Sequence, residues 1–327
     1  MPKERQKLKD VLAALNKKHG AGTVMLVGED DERTTVDWAT SNCYSLDRVM
    51  GQGIPKGRII DIYGQPSGGK STIAMYLVAQ IQKAGGTAAW VDAEFSFTSE
   101  YAQKIGVDVG KLIYSQPRTG EEAIDIVVQL VDSGELDIIV VDSTAALVPA
   151  KELEGDVTES NVALQARLLS KGLRMITGAT SKSKTVVMFI SQVRDKIGGF
   201  GGFNGPSTDA TGGKALKFYS SIRLEVTKKA TLKDGEEVVG NKLKVSATKN
   251  KVAAPFKVAE IDLYFAKGID TIGDIMDVSV DKGIVSKSGA SYSFGELKLG
   301  YGREVARKFL EENPDTFKAI REALLKL

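Results

Sequence analysis

Cysteine and histidine are nearly absent from this chain. In 327 residues there is one of each, Cys43 and His19. A lone cysteine forbids an internal disulfide and suits a reducing compartment. With one histidine beside it, no zinc site of the usual ligand set is available, and both residues read as structural. Long apolar runs are missing too: none approaches the roughly 18 residues of a membrane-spanning helix. The opening Met-Pro-Lys-Glu-Arg-Gln-Lys leads into an amphipathic pattern, not an unbroken apolar one, so no secretion signal is expected. Neither sign of charge dominates. Forty-four basic residues against 42 acidic ones leave a net charge of +2, so any nucleic-acid surface must be local. The expected setting is cytoplasmic, with no membrane partner.

What is present is the composition of a globular protein, 42% hydrophobic and 26% charged. The length allows one large α/β core with small accessory units. Residues 3 to 18 place Leu8, Val11, Leu12 and Leu15 on one helical stripe, closed by Gly20 and Gly22. This helix either packs on its own domain or docks on a neighbouring subunit. From about residue 36, apolar strands alternate with helices. Strands are predicted at 58–63, 87–92, 137–142, 185–191, 221–227 and 242–248, and helices at about 70–84, 99–105, 120–133 and 161–179. Runs such as Ile138-Ile139-Val140-Val141 fit a parallel sheet covered on both faces. The fold class is therefore α/β, a mainly parallel twisted sheet flanked by helices. Beyond residue 268, strands at 284–286 and 291–294 and helices at about 302–312 and 314–326 predict a small C-terminal α+β domain. The expected division is 1–35, 36–268 and 269–327.

The most informative run is Gly64-x-x-x-x-Gly69-Lys70-Ser71, placed between an apolar strand and a helix. In that context the pattern marks a phosphate-binding loop. Backbone N–H groups around the glycines and the helix N-terminus attract an anion. The expected phosphate contacts are Gly64, Gln65, Pro66, Ser67, Gly68, Gly69, Lys70, Ser71 and Thr72. Lys70 would reach the terminal phosphates and Ser71 would ligate Mg²⁺. Asp142 closes the strand at 137–142, where an acid holds Mg²⁺ through water or, alternatively, caps the next helix. Glu94 and Asp92 compete for the role of the carboxylate that polarises the attacking water. Gln192 ends another strand and can sense a γ-phosphate.

Directly after Gln192, residues 198 to 213 hold seven glycines, Phe200, Phe203 and a single acid, Asp209. Arg194, Lys196, Lys214 and Lys217 flank them. Such a stretch cannot pack a core and is long for a connection. It reads either as a slack linker or as a loop that orders around single-stranded nucleic acid, with aromatics available to stack on bases. A second, acidic candidate loop spans about 151–162. After it, Arg167, Lys171 and Arg174 share one helical face, which is either solvated or nucleic-acid facing.

Together these residues resemble the bacterial RecA recombinase family, over about residues 5 to 325. The resemblance is carried by Gly64–Ser71, Val91-Asp92-Ala93-Glu94, Ser115-Gln116-Pro117, Ile139–Ser143, Glu154-Gly155, Gln192-Val193-Arg194, Thr211–Tyr219 and Lys249–Phe256. It implies a RecA-like ATPase core in a filament-forming, ATP- and DNA-dependent recombinase that pairs and exchanges homologous strands. It further implies that Glu94 is the catalytic carboxylate and that Gln192 couples the γ-phosphate to the glycine-rich loop. Tyr101 would stack on adenine and Tyr264 would lie beside the nucleotide. Lys249 and Lys251 would reach the ATP of the neighbouring protomer. The N-terminal helix would dock on the adjacent core. Arg167, Arg174 and the loop at 194–211, with Arg194, Lys196, Gly198, Gly199, Phe200, Phe203, Thr211, Gly212 and Gly213, would face DNA. A repressor undergoing self-cleavage and a single-strand binding protein are further implied partners.

Several positions depart from the family pattern. Gln65-Pro66-Ser67-Gly68 stands where Pro-Glu-Ser-Ser is usual, Ser71 replaces Thr, and Phe95 replaces His. The glycine-rich loop is longer by a few residues. The sequence given ends at Leu327 without the family's acidic tail, which leads to an expectation of easier loading onto duplex DNA. These differences mark a divergent member and leave a phage origin open. A hexameric helicase and a non-hydrolysing accessory module are the alternatives. The intact Lys70, Ser71, Glu94 and Asp142 argue against the second.

Overall fold

The computed structural model describes residues 3–20, 23–25, 35–154, 162–195, 208–210 and 213–326, with backbone alone at 3–6, 162–163, 194–195, 208–210 and 213–214. They fall into two compact units, within 1–36 and 37–327. In the first, α1 (Lys3–His19) ends with Lys17, Lys18 and His19, basic side chains that suit the negative end of the helix dipole. The Asn16 amide clasps the returning chain, donating to Val24 O at 2.7 Å and accepting from Val24 N at 2.9 Å. Leu8 and Val11 on its apolar stripe are about half exposed.

In the second unit, β1 (Trp38–Ala39) and β2 (Ile54–Pro55) form a short antiparallel pair, joined through α2 (Tyr44–Met50). Ten strands make the main sheet: β3 (Ile59–Gly64), β4 (Ala88–Asp92), β5 (Leu112–Ser115), β6 (Ile138–Asp142), β7 (Val186–Asp195), β8 (Thr208–Ala210), β9 (Ile222–Asp234), β10 (Glu237–Asn250), β11 (Val258–Tyr264) and β12 (Gly268–Ile269). Their order is β12-β11-β10-β9-β3-β7-β6-β4-β5, with β8 paired to the end of β7. The six strands from β9 to β5 run parallel, and β10 to β12 extend the sheet antiparallel.

The crossovers are α3 (Lys70–Lys83), α4 (Ser99–Ile105), α5 (Gly120–Asp132), α6 (Ala150–Glu154), α7 (Val162–Ser183) and α8 (Gly213–Tyr219). Side chains alternate across the central strands, so a continuous apolar run feeds two cores. Ile60, Ile62, Ile138 and Val140 pack with α3 and α4 on one face. Ile59, Ile139, Val141 and Phe189 pack with α5 and α7 on the other. Each fully buried Ile or Phe contributes about 1.5–3 kcal/mol. Thr119 caps α5 by accepting from Glu122 N, and Glu122 reaches back to Arg118 N, which fixes where that helix starts.

The C-terminal part holds α9 (Thr271–Asp281), a three-stranded antiparallel sheet of β13 (Ser286–Ser288), β14 (Ser291–Phe294) and β15 (Leu297–Tyr301), and helices α10 (Arg303–Glu312) and α11 (Pro314–Leu325). Met276, Tyr292, Leu310 and Ile320 belong to its own small core. Buried pairs tie α10 to the main sheet and the turn after it: Arg307–Asp270 at 2.8 Å and Arg303–Asp262 at 3.0 Å.

One strand differs from expectation in a way that matters below. β7 does not stop at Ser191. It continues to Asp195, because Val193, Arg194 and Asp195 pair antiparallel with Ala210, Asp209 and Thr208. Residues 194–195 and 208–210, expected as loop, are therefore the stem of a hairpin-like projection, and Gly213 opens α8.

Candidate active site

Four neighbouring strand ends assemble the site. In the order β3-β7-β6-β4, their carboxyl ends carry Gly64, Gln192, Asp142 and the turn to Glu94. Register places Gly64 beside Gln192, Asp142 beside Ile190, and Asp92 beside Asp142. Gly64 is required by packing, since a Cβ there would lie 2.2 Å from Val226 O. Gly69 is required by its left-handed φ of 88° at the N-cap of α3. The first intrahelical bond runs from Ile73 N to Gly69 O, so the N–H groups of Lys70, Ser71 and Thr72 precede it and face an incoming anion.

The turn after β4 decides between the two carboxylates. Asp92 is fully buried and accepts from Ser96 N at 3.2 Å, Phe97 N at 3.1 Å and the Tyr114 hydroxyl at 2.9 Å. It shapes the turn. Glu94 is carried past it, with Ala93 N and Glu94 N donating to Asp142 O and Phe95 at the apex in the left-handed region at φ 55°. Gln192 Nε2 donates to Glu94 Oε1 at 2.8 Å, and the Ser143 hydroxyl donates to the same oxygen. Two donors on one oxygen fix the carboxylate and leave Oε2 to act on water. Ser143, fully buried, had no sequence signal beyond following Asp142.

Lys70 donates to Gln65 O at 2.8 Å. Burial lowers its pKa, and the nearby Asp142 and Glu94 charges push it back up. Asp142 is pushed up to about 6 by burial; the Ser71 hydroxyl, hydrogen-bonded to it, opposes the shift, and Glu94 and Asp92 add to it. The folded chain thus binds this proton more tightly than the unfolded chain, and stability falls as pH rises from about 4 to about 6. Asp142→Asn is expected to raise the melting temperature of the nucleotide- and metal-free protein at pH 8, through a stabilisation of up to about 3 kcal/mol. The gain should vanish below pH 4. Thermal denaturation at both pH values checks this, and unchanged melting at pH 8 would contradict it.

A cleft of about 260 Å³ is lined by Ser67 to Thr72, Tyr101, Asn241, Leu263 and Phe265. The Tyr101 hydroxyl lies 3.0 Å from Thr72 Oγ1. Asn241 Oδ1 is buried without a hydrogen-bonding partner among the described residues, as at a site built for a polar ligand. Free amides, a lysine and an aromatic rim fit a nucleoside triphosphate. Tyr264 is a correction. It lines a different cavity, with Lys267, Arg303 and Arg307, and its ring lies under Lys267 Nζ at 4.5 Å. Strand alternation gives the reason: Leu263 faces the phosphate-loop cleft, so Tyr264 faces away and Phe265 returns. Asn241 and Phe265 were missed by sequence reasoning.

Comparison with known proteins bears directly on this geometry. The RecA N-terminal domain model matches residues 6–270 and the RecA C-terminal domain model matches 273–327. The chain belongs to the RecA family. It is 49% identical over 322 residues to Protein RecA of Chlorobaculum tepidum, covering 98% of this chain and 92% of that one. Protein RecA of Lactobacillus johnsonii is 47% identical over 321 residues, 98% of this chain and 88% of the relative. That of Bacillus licheniformis is 48% identical over 323 residues, 98% and 92%. As a RecA-family recombinase the chain is a DNA-dependent ATPase that binds ATP and DNA and forms filaments. No helix among the described residues is long and apolar enough to cross a membrane.

The RecA residues expected at DNA are only partly described. Arg167, Lys171 and Arg174 are exposed along one side of α7, opposite the buried Leu169, Leu173 and Ile176. Arg174 Nε donates to the Tyr219 hydroxyl at 3.4 Å, joining α7 to α8. Arg194 lies in β7 opposite Asp209. Lys196, Gly198, Gly199, Phe200, Phe203, Thr211 and Gly212 lie outside the described residues, as do 155–161 of the acidic loop. Lys249 and Lys251 do not line the phosphate-loop cleft of their own chain. Both donate to Phe218 O at 3.0 Å, and Lys249 also to Lys217 O, so two ammonium groups sit on the last carbonyls of α8. Burial and the Lys251 charge push Lys249 down to about 8.

Proposed function

We propose that this RecA-family chain converts the γ-phosphate of ATP into a grip on single-stranded DNA through Gln192. The carrying observation is the 2.8 Å bond from Gln192 Nε2 to Glu94 Oε1, on a strand that runs three residues further into the hairpin stem. Glu94 polarises the water in line with the γ-phosphate, and Lys70 offsets charge on the phosphates. Gly64 to Thr72 supply the loop, and Tyr101 stacks on the base. Mg²⁺, held by Ser71 and through water by Asp142, neutralises phosphate charge when bound. A γ-phosphate within reach of Gln192 competes with Glu94 for its amide. That exchange shifts β7 and the loop at 194–211, which orders on DNA with Arg167 and Arg174.

In a filament, α1 docks on the adjacent core and Lys249 and Lys251 enter the neighbour's nucleotide site. The products are homologous pairing and strand exchange with duplex DNA. A cytoplasmic setting, a single-strand binding protein and a self-cleaving repressor complete the reading, within a division at 1–35, 36–268 and 269–327.

A strand-exchange assay with ATP and with a non-hydrolysable analogue tests it. Wild type should form joint molecules with either nucleotide but dissociate from the product only with ATP. Lys70→Ala should form none with either. Wild type that hydrolyses ATP without DNA stimulation and never forms joint molecules would sink the reading.

A further inference from the structure

A buried polar chain crosses the sheet one residue beneath the site. Asp61, in the middle of β3 and fully buried, accepts from Ser191 Oγ at 2.8 Å and from Arg223 Nε at 2.7 Å. Ser191 Oγ accepts in turn from Thr144 Oγ1 at 3.1 Å. The Arg223 guanidinium lies 4.2 Å from the centre of the Tyr63 ring, whose hydroxyl is bonded to Thr248 Oγ1 at 2.9 Å. Every member adjoins a site group in the chain. Thr144 follows Asp142 by two, Ser191 precedes Gln192, Tyr63 precedes Gly64 and Thr248 precedes Lys249.

An ion pair is a poor way to hold a sheet together. Replaced by apolar residues of like volume, such pairs often leave stability unchanged or raise it by about 1–4 kcal/mol. Directional contacts across β7, β3, β9 and β10 instead fix register and lateral spacing. We infer that Asp61 and Arg223 are positioning residues that set Gln192 against the phosphate loop on one side and Lys249 on the other. The half of the site that senses its own nucleotide is thereby joined to the half that serves a neighbour. The inference rests on the roles proposed for Gln192 and Lys249.

The test uses the full chain carrying Asp61→Leu and Arg223→Met together, with Ser191→Ala, Gln192→Ala and Lys249→Ala in parallel. The double variant should keep the wild-type melting temperature within a few degrees and its KM for ATP within about threefold. Its DNA-stimulated kcat should fall at least about tenfold, since small misplacements of reacting groups cost up to about a hundredfold. Ser191→Ala, which removes one hydroxyl, should lower kcat in the same direction without moving KM. A folded double variant with wild-type kcat overturns the inference. If the double variant does not fold, wild-type kcat in Ser191→Ala overturns it. Full activity in both Gln192→Ala and Lys249→Ala would instead remove the reading on which it rests.

Discussion

Glu94→Gln is expected to lower DNA-stimulated ATP hydrolysis about a thousandfold while leaving ATP binding intact, because general-base contributions run to about 10²–10⁴. The substitution removes charge and basicity and little else. The new amide oxygen can still accept from Ser143 and Gln192, so the turn after β4 keeps its bonds. Lys70 and the loop amides are untouched, so nucleotide affinity should move by no more than a few-fold. Without hydrolysis the filament should persist on single-stranded DNA and pair homologous duplex without release. Steady-state phosphate release and direct nucleotide-binding titration check this together. A loss of binding that matched the loss of turnover would place Glu94 in the phosphate cradle instead. Asp92→Asn should behave differently, destabilising the chain through the amides of Ser96 and Phe97, whose acceptor is a buried charge.

Lys249→Ala should cost at least a hundredfold in filament ATPase, given that a cation supplied across an interface contributes about 10³–10⁵ in related phosphoryl transfers. In the single chain the Lys249 and Lys251 ammonium groups rest on α8, away from Lys70, so the loss should appear only in the assembled state. Mixing supplies the sharper test. Glu94→Gln and Lys249→Ala chains are each inactive alone, yet a contact pairing an intact Glu94 with an intact Lys249 is whole. Random head-to-tail assembly of equal amounts restores about a quarter of the contacts. Phosphate release should therefore recover to about that fraction. No recovery on mixing would show that both residues must lie in one chain, and the trans role would be lost.

Much of this site was legible because its parts are encoded locally. The phosphate loop is a contiguous run, and Asp142 is marked by the four apolar residues before it. Glu94 and Asp92 could not be separated from spacing, because the choice depends on which carboxylate the turn amides capture. Tyr264 was misplaced by one residue, an error that strand parity makes complete. Edge strands such as β5, half exposed, carry no continuous apolar run and went unnoticed. Asp61 did leave a mark: an acid inside Ile59-Ile60-x-Ile62, where a buried parallel strand has no ordinary use for one. Its partner Arg223 is distant in sequence, and only the pairing of β3 with β9 brings them together.

The continuity of β7 sets how this molecule tolerates change. From Gln192 to Asp195 the chain is a short stiff rod, about 10 Å long at the rise of an extended strand. Residues added beyond the stem change how far the glycine-rich segment extends over a nucleic acid. One residue added within the rod reverses the facing of everything after it and disconnects that segment from the nucleotide. Reach and trigger are thus separate heritable properties of one hairpin, free to vary in the first and closed to variation in the second.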